Sequence, residues 1–285
     1  MTTQSVGVAD KPSRVPPVRL IRAMDRLRAG LEKLHRSSVP GNIAALEMIT
    51  GAWTSQMLYV AAKLGIPDQL AAGPLTAGEV ARRTQTDPDA VYRLMRALAS
   101  KGVFKHRRDD RFALAPVGDA LRAGSPGSMR DMVLFMGHPA RWEDWGNLLY
   151  SVQTGEPAGV KLRGMPYFDY LDTDAELAKA FNDAMTATGG ITTEATLTAY
   201  DFTGLRRIVD VGGGHGALLT TILRSAPQAH GVLYDLPSVV EGARTAVESA
   251  GLSDRCAVEG GTFMESVPAG GDAYVLKTVI HDWDD

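Results

Sequence analysis

Apolar side chains recur every three or four residues near the start of the chain, between positions 18 and 35. That spacing predicts one amphipathic helix, in which basic residues separate the apolar positions. The apolar positions are Leu20, Ile21, Met24, Leu27, Leu31 and Leu34. Such a face suits packing against a core or a second subunit, and its basic neighbours leave a nucleic-acid-binding arm as the alternative.

A winged helix is predicted from the pattern that follows. A helical run over residues 43–64 is expected to end at Gly65-Ile66-Pro67, because glycine ends a helix readily and proline cannot continue one. Residues 76–79 have the form of a capping box, and Asp87-Pro88 opens another helix. Two short strands, 103–106 and 111–114, then flank a polar turn.

The same module occurs in many DNA-binding proteins, so its charges decide between two interpretations. The helix in the recognition position carries Arg93, Arg96 and Lys101. However, Asp87 and Asp89 stand at its start, where incoming phosphates would meet negative charge. We therefore interpret the winged helix as a dimerisation platform and keep DNA binding as the alternative.

Large apolar residues are concentrated between positions 129 and 185, where the pattern is helical. Most of them are expected to form core. Methionine and aromatic side chains also suit a pocket for a flat aromatic ligand, because they offer ring faces and sulfur contacts. Trp142, Phe181 and Met185 are the candidate substrate-binding residues.

A nucleotide-binding unit is predicted near the C-terminal end. Residues 205–211 read as a buried strand, glycines occupy residues 212–216 apart from His215, and a helix follows. Asp235 comes after the next strand, residues 230–234, where an acid can accept both ribose hydroxyls. Further strands are readable around Val258 and Val275.

Two kinds of ligand remain possible for the glycine loop, a dinucleotide and S-adenosylmethionine. Gly212, Gly214 and Ala217 satisfy the dinucleotide pattern G-x-G-x-x-G/A. Asp210 beside the loop favours S-adenosylmethionine instead, because that ligand carries an ammonium and a sulfonium and has no pyrophosphate.

Composition narrows the classes of protein further. Hydrophobic residues make up 45% and charged residues 22% of 285 residues, as in ordinary globular proteins. A net charge of -3 supplies no general attraction to nucleic acid. A single cysteine, Cys256, excludes an internal disulfide. Residues 1–17 show no leader or membrane anchor and are expected to be disordered, which makes the cytoplasm the expected location.

Four segments resemble the plant-type and bacterial natural-product O-methyltransferases of secondary metabolism. They are VDVGGGHG at 209–216, YDLP at 234–237, FNDAM at 181–185 and LKTVIHDWDD at 276–285. The resemblance implies S-adenosylmethionine as cofactor, an aromatic small-molecule acceptor and a homodimer formed through the N-terminal domain. Neither a membrane nor a metal is expected.

Roles for individual residues follow from that resemblance. The glycine loop, with Gly212 and Gly214, holds the methionine part of the cofactor. Asp210, chosen above for its charge, is the candidate cofactor-binding carboxylate beside this loop. Asp235 holds the ribose, and Phe263 and Lys277 lie near the adenine. His281 is the general base, and imidazole suits this role because it is available to accept a proton near neutral pH.

The sequence departs from the family pattern at two places. Thr262 stands where the family has an aspartate near the adenine. The sequence also ends at Asp285, just after the catalytic motif, so we expect an incomplete sheet with an exposed apolar edge.

The predicted fold is an α/β protein whose Rossmann-like methyltransferase domain follows a mainly α-helical winged-helix domain. The predicted segments are a disordered terminus at 1–17, a dimerisation domain at 18–125, a helical substrate-pocket segment at 126–200 and an incomplete cofactor-binding domain at 201–285. The predicted activity is O-methylation of an aromatic or polyketide-like molecule. A winged-helix DNA-binding regulator and an inactive dimerising homologue are the alternatives.

Overall fold

The computed structural model describes residues 18–283, so the prediction for residues 1–17 lies outside the described residues. Two compact units meet between Thr50 and Gly51 and are described separately. The helices are α1 (Val18–Ser37), α2 (Gly41–Lys63), α3 (Ile66–Gln69), α4 (Ala77–Thr84), α5 (Pro88–Ser100), α6 (Pro116–Asp119), α7 (Arg130–Met136), α8 (Pro139–Gly146), α9 (Leu148–Thr154), α10 (Ala158–Arg163), α11 (Tyr167–Leu171), α12 (Ala175–Ala199), α13 (Ala217–Ser225) and α14 (Pro237–Ser249). The strands are β1 (Leu75–Thr76), β2 (Phe104–His106), β3 (Arg111–Leu114), β4 (Arg207–Val211), β5 (His230–Asp235), β6 (Cys256–Gly260) and β7 (Ala273–Val275).

The first unit contains α1, and the boundary at Thr50 falls within α2. The predicted amphipathic helix is confirmed as α1. Its described apolar side chains are all more than half exposed: Leu20, Met24, Leu27, Leu31 and Leu34. Among the described residues, no helix has both the length and the apolar character that a membrane crossing requires.

The winged helix of the second unit is confirmed. The capping box at the start of α4 is complete, because Thr76 Oγ1 accepts a hydrogen bond from the Glu79 N–H and Glu79 Oε2 accepts one from the Thr76 N–H. Asp87 caps α5 by accepting from the Ala90 N–H at 2.7 Å. These side chains satisfy backbone donors that have no partner within the helix.

Helix α2 ends at Lys63, as the Gly65-Ile66-Pro67 pattern predicted. Pro67 lies in the first turn of the next helix, α3, where a missing N–H costs nothing. One feature of this part differs from the pattern expected from the sequence. The wing has a third strand, β1, which pairs antiparallel with β3 in the order β1-β3-β2. Phe104 and Phe112 pack beneath it with Met95.

The nucleotide-binding part contains four parallel strands in the order β6-β5-β4-β7. The four strands were expected from the sequence. Helices α13 and α14 pack on one face, where Leu219, Leu223 and Val247 join Ile208 in a buried cluster. Strands β5 and β6 are added in turn on one side of β4, whereas β7 is added on the other side. The order in which strands are added therefore reverses between β4 and β7.

Candidate active site

The carboxyl edge of the parallel sheet gathers the predicted cofactor residues. The glycine loop follows β4, Asp235 ends β5, and Lys277 lies two residues after β7. Phe263 lies three residues after β6 and packs against the face of the sheet that carries Val209. Because a ligand crevice forms where the strand order changes direction, the site is expected beside the end of β4.

The glycine loop brings backbone close to other groups. Gly212, Gly214 and Gly216 all have positive φ, at 67°, 57° and 78°. A Cβ at Gly212 would lie 2.6 Å from Val279 Cγ2, whereas a Cβ at Gly214 would meet nothing within 4 Å. The loop is therefore tightly packed underneath and open at Gly214, as a backbone cradle for a ligand requires.

Asp235 links β5 to the glycine loop. Its Oδ2 accepts a hydrogen bond from the Gly214 N–H at 2.7 Å, and its Oδ1 accepts one from the Leu236 N–H at 2.7 Å. Burial raises the pKa of this carboxyl, and the two amide donors and His215 oppose that rise. Each oxygen keeps lone pairs for further donors, so the carboxylate can still accept ligand hydroxyls.

Asp210 is buried, with 2% of its surface exposed, at the end of β4. Its Oδ2 has no hydrogen-bond partner among the described residues. Burial raises the pKa of Asp210 to about 7, the negative charge of Asp235 adds to that rise, and Lys277 opposes it. A buried acceptor without a donor is costly, so this oxygen is suited to receive a donor from a ligand.

Lys277 and Thr278 lead from β7 toward the candidate base. Burial lowers the pKa of Lys277, and the charge of Asp210 opposes that change. The Lys277 ammonium reaches α12, because a Cβ placed on Gly189 would lie 3.7 Å from Nζ. Thr278 has a φ of 55°, a conformation that is uncommon for a residue with a side chain.

His281 lies in a single turn of 3₁₀ helix, Ile280–Asp282, and its side chain is 64% exposed. Its Nε2 is 3.3 Å from Asp282 Oδ1. The neighbouring carboxylate is therefore the acid that accompanies the imidazole in the described residues.

An aromatic chain connects the cofactor side of the site to the candidate substrate residues. The Phe263 ring meets the Trp283 ring edge-on at 5.6 Å between centroids. Trp283 is stacked on Phe168 at 6.3 Å, and Phe168 meets Phe181 edge-on at 6.1 Å. Phe168 is thus the one ring between the predicted substrate residue Phe181 and Trp283. Trp283 follows His281 by two residues.

The three predicted substrate residues do not all come together. Phe181 and Met185 pack in one cluster around buried Phe135 and Leu177. Trp142, on α8, is not among the side chains of that cluster, and its indole N–H is buried without a partner among the described residues. The role of Trp142 in substrate binding therefore stays a prediction, which the cluster of Phe181 and Met185 does not support.

Two protein-family models match the chain, one over the part that contains the winged helix and one over the part that contains the parallel sheet. An O-methyltransferase dimerisation domain matches residues 46–124, and an O-methyltransferase domain matches residues 145–285. The chain belongs to the S-adenosylmethionine-dependent O-methyltransferases. Its winged helix accordingly falls within a dimerisation domain, and its Rossmann-like fold is that of this family.

Two curated methyltransferases illustrate the similarity in sequence. The phenazine O-methyltransferase PhzM of Lysobacter antibioticus is 41% identical over 89% of this chain and 74% of its own length. The 8-amino-8-demethylriboflavin N,N-dimethyltransferase of Streptomyces davaonensis is 39% identical over 80% of this chain and 67% of its own length. Relatives of this methyltransferase therefore include enzymes that are named for methylating oxygen and for methylating nitrogen.

Solved structures show the same likeness. The crystal structure of LaPhzM matches with a TM-score of 0.82 and 41% identity, covering 86% of this chain and 74% of its own. The neocarzinostatin O-methyltransferase NcsB1, in complex with S-adenosylmethionine and 2-hydroxy-5-methyl naphthoic acid, matches with a TM-score of 0.71 and 31% identity, over 81% of this chain and 71% of its own.

The residues of this methyltransferase fit the cofactor of its family. The unpartnered Oδ2 of Asp210 suits an ammonium donor, and the open side of Gly214 leaves room for a ligand beside the loop. The rings of Phe168 and Tyr167 adjoin the site as well, although no sequence motif marks them. Both residues lie in the apolar 129–185 segment, from which the substrate residues were predicted. Many core residues lie in the same segment, so this position alone could not distinguish the two.

Asparagine in place of Asp210 is expected to change how stability depends on pH in the ligand-free protein. A pKa raised from about 4 to about 7 means that the folded state binds the extra proton, so the contribution of Asp210 to stability is greatest below pH 4 and is lost as pH rises toward 7. The Asp210→Asn variant should lack this decline, so that at pH 8 its free energy of unfolding exceeds that of wild type by about 1–3 kcal/mol. Urea titrations from pH 4 to pH 8 measure the difference. Asp254→Asn, at an exposed carboxylate, is the control. Parallel curves for wild type and Asp210→Asn would contradict the assignment.

Proposed function

We propose that this methyltransferase transfers a methyl group to a hydroxyl of an aromatic or polyketide-like small molecule, with His281 as general base. The observation that carries the proposal is the convergence at one sheet edge of a buried unpartnered carboxylate, an open glycine loop and a ring cluster. The first two suit the cofactor, and the third suits an aromatic acceptor.

Each residue has a part in this proposal. Asp210 and the backbone of Gly212 and Gly214 hold the amino-acid part of the cofactor. Asp235 accepts from the ribose hydroxyls. Phe263 and Lys277 form the adenine side of the site.

Phe181 and Met185 are proposed to contact the acceptor through the aromatic cluster that they share with Phe135. Ring faces of this kind hold a flat ligand by stacked or edge-on contacts. Trp142 is proposed as a further contact through its indole N–H, which lacks a partner among the described residues.

Chemistry at the acceptor depends on proton removal and alignment. When bound, S-adenosylmethionine supplies a methyl group that its positive sulfur already activates. His281 takes the proton from the acceptor hydroxyl, so that the oxygen can form its new bond to the methyl carbon while the bond from that carbon to sulfur breaks and its electron pair goes to sulfur. The aromatic cluster fixes the direction of approach, and such alignment accounts for much of the acceleration in two-substrate reactions.

We further propose that the chain works as a homodimer joined through residues 18–125. The dimerisation-domain match over residues 46–124 supports this. The exposed apolar side chains of α1, such as Leu27 and Leu34, supply a surface that water disfavours.

Incubation of the purified chain with methyl-labelled S-adenosylmethionine and a set of phenols and naphthols tests the function. We expect labelled methyl ether in at least one reaction, identified by mass spectrometry. Cofactor binding without any labelled product would favour the inactive homologue. Labelled amine as the sole product, from acceptors that carry both groups, would contradict oxygen as the methylated atom.

A further inference from the structure

The connection between β6 and β7, residues 261–272, carries the candidate adenine residue Phe263. It lies wholly within the described residues and contains neither helix nor strand. At its start, the Gly261 N–H donates a hydrogen bond to the Asp235 carbonyl at 2.9 Å. A segment without regular secondary structure needs further contacts to fix the side chains that it carries.

Tyr234 supplies such a contact from within the sheet. It lies on β5 directly before Asp235 and is 6% exposed. Its phenol hydroxyl donates a hydrogen bond to the Ser266 carbonyl at 2.9 Å. A buried phenol needs a hydrogen-bond partner, and here the partner is the main chain of the β6–β7 connection. The connection is therefore held three residues after Phe263.

The residues between these two contacts form a turn. The N–H groups of Glu265 and Ser266 both donate to the Thr262 carbonyl, at 3.1 and 3.2 Å. Phe263 lies inside this turn, and its two ends, Gly261 and Ser266, are both attached to β5. The position of Phe263 therefore depends on β5 as well as on its own backbone.

The Tyr234 ring also packs beneath the turn. Phe263 joins the buried cluster to which Tyr234 belongs on one face of the sheet. A Cβ placed on Gly261 would overlap the Tyr234 hydroxyl oxygen and lie 2.8 Å from the ring carbon that bears it. Gly261 thus allows the main chain to approach the phenol closely, as a residue without a side chain can.

The main chain of Tyr234 contacts the other side of the site. Its carbonyl accepts a hydrogen bond from the Gly212 N–H at 2.8 Å, at the start of the glycine loop. Tyr234 therefore touches both segments that are proposed to hold the cofactor. Any residue at this position would supply the carbonyl, but few would supply the hydroxyl.

We propose that Tyr234 is a positioning residue of the cofactor site, whose hydroxyl fixes Phe263 by holding the 261–266 turn. The inference rests on the proposed function, because Phe263 is assigned there to the adenine side. Tyr234 acts through Phe263 and is not itself proposed to contact the cofactor. Without the hydroxyl, the turn would have to be ordered during binding, and that ordering would weaken affinity.

The Tyr234→Phe variant tests this assignment, because it removes one oxygen and keeps the ring. We expect the affinity for S-adenosylhomocysteine to fall by about 3- to 10-fold, which is what the net contribution of one hydrogen bond allows. Isothermal titration calorimetry of the purified chain measures the change.

Tyr274 on β7 provides a matched control. Its hydroxyl also binds the β6–β7 connection, donating to the Pro268 carbonyl at 2.9 Å and accepting from the Gly271 N–H at 3.1 Å. These contacts follow the turn that carries Phe263. Tyr274→Phe should lower the midpoint of thermal unfolding, while the affinity for S-adenosylhomocysteine stays within about twofold of wild type.

Two further measurements identify the route of the effect. On a Phe263→Leu background, Tyr234→Phe should change the affinity by less than about twofold, because the residue through which it acts is gone. In the ligand-free protein, amide hydrogen exchange should be faster at Glu265 and Ser266 in Tyr234→Phe, and faster at Gly271 in Tyr274→Phe.

Three results would overturn the inference. These are equal affinities of Tyr234→Phe and wild type, an equal loss in Tyr274→Phe, and an undiminished effect on the Phe263→Leu background. Failure of the wild type to bind S-adenosylhomocysteine would instead contradict the proposed cofactor site. Faster exchange at Glu265 and Ser266 in Tyr234→Phe would still show that the hydroxyl holds the turn.

Discussion

The Asp235→Ala variant is expected to lose at least about 100-fold in affinity for S-adenosylmethionine, because hydrogen bonds to a charged acceptor contribute about 1.5–3 kcal/mol each. Two ribose hydroxyls are proposed to donate to this carboxylate. The substitution also removes the acceptor of the Gly214 N–H, so the glycine loop loses the contact that ties it to β5. Isothermal titration of both proteins with S-adenosylmethionine measures the change.

Asp272 offers a matched control for this result. Its Oδ2 also accepts two backbone hydrogen bonds, from Arg206 and Arg207, both at 2.8 Å. These contacts lie at the amino end of β4, opposite the glycine loop. Asp272→Ala should therefore lower the free energy of unfolding while cofactor affinity stays within about threefold of wild type. Equal affinities for Asp235→Ala and wild type would show that the ribose is not held by this carboxylate.

Replacement of His281 by alanine is expected to reduce the rate of methyl transfer by about 10²- to 10⁴-fold, the usual contribution of a general base. The acceptor hydroxyl would then lose its proton only to water. The 64% exposed side chain makes no packing contribution that would unfold the protein on removal. Cofactor affinity should stay unchanged, so the effect should appear in kcat.

His230 provides the comparison for His281. It lies at the start of β5, at the amino edge of the sheet, and is exposed. His230→Ala should therefore retain the turnover of wild type. Steady-state rates of product formation for the three proteins are the measurement. Turnover by His281→Ala within threefold of wild type would remove this residue from the mechanism.

Local sequence determined the winged helix and the strand–loop–helix units. The capping box at Thr76, the Asp87 cap and the glycine after α5 act within a few residues of one another, so the pattern contains the whole interaction. Strand β1 was missed, because two residues have too little pattern and acquire strand structure only by pairing with β3.

Candidate site residues were readable from the sequence where a motif marked them. The glycine loop and Asp235 stand at strand ends, and parallel strands place those ends at one edge. Phe168 and Tyr167 had no such mark. They are placed beside the site by ring contacts with Trp283 and Phe181, which lie far from them in sequence.

The sequence by itself thus determined the order of the elements, the family and the residues proposed to hold the cofactor. Only the tertiary structure decided that Phe181 and Met185 share a cluster without Trp142, and that Trp283 connects this cluster to the His281 turn through Phe168. The physical reason is range. Capping and strand patterning act between near neighbours in sequence, whereas burial and the pairing of charges depend on groups that folding brings together from distant positions.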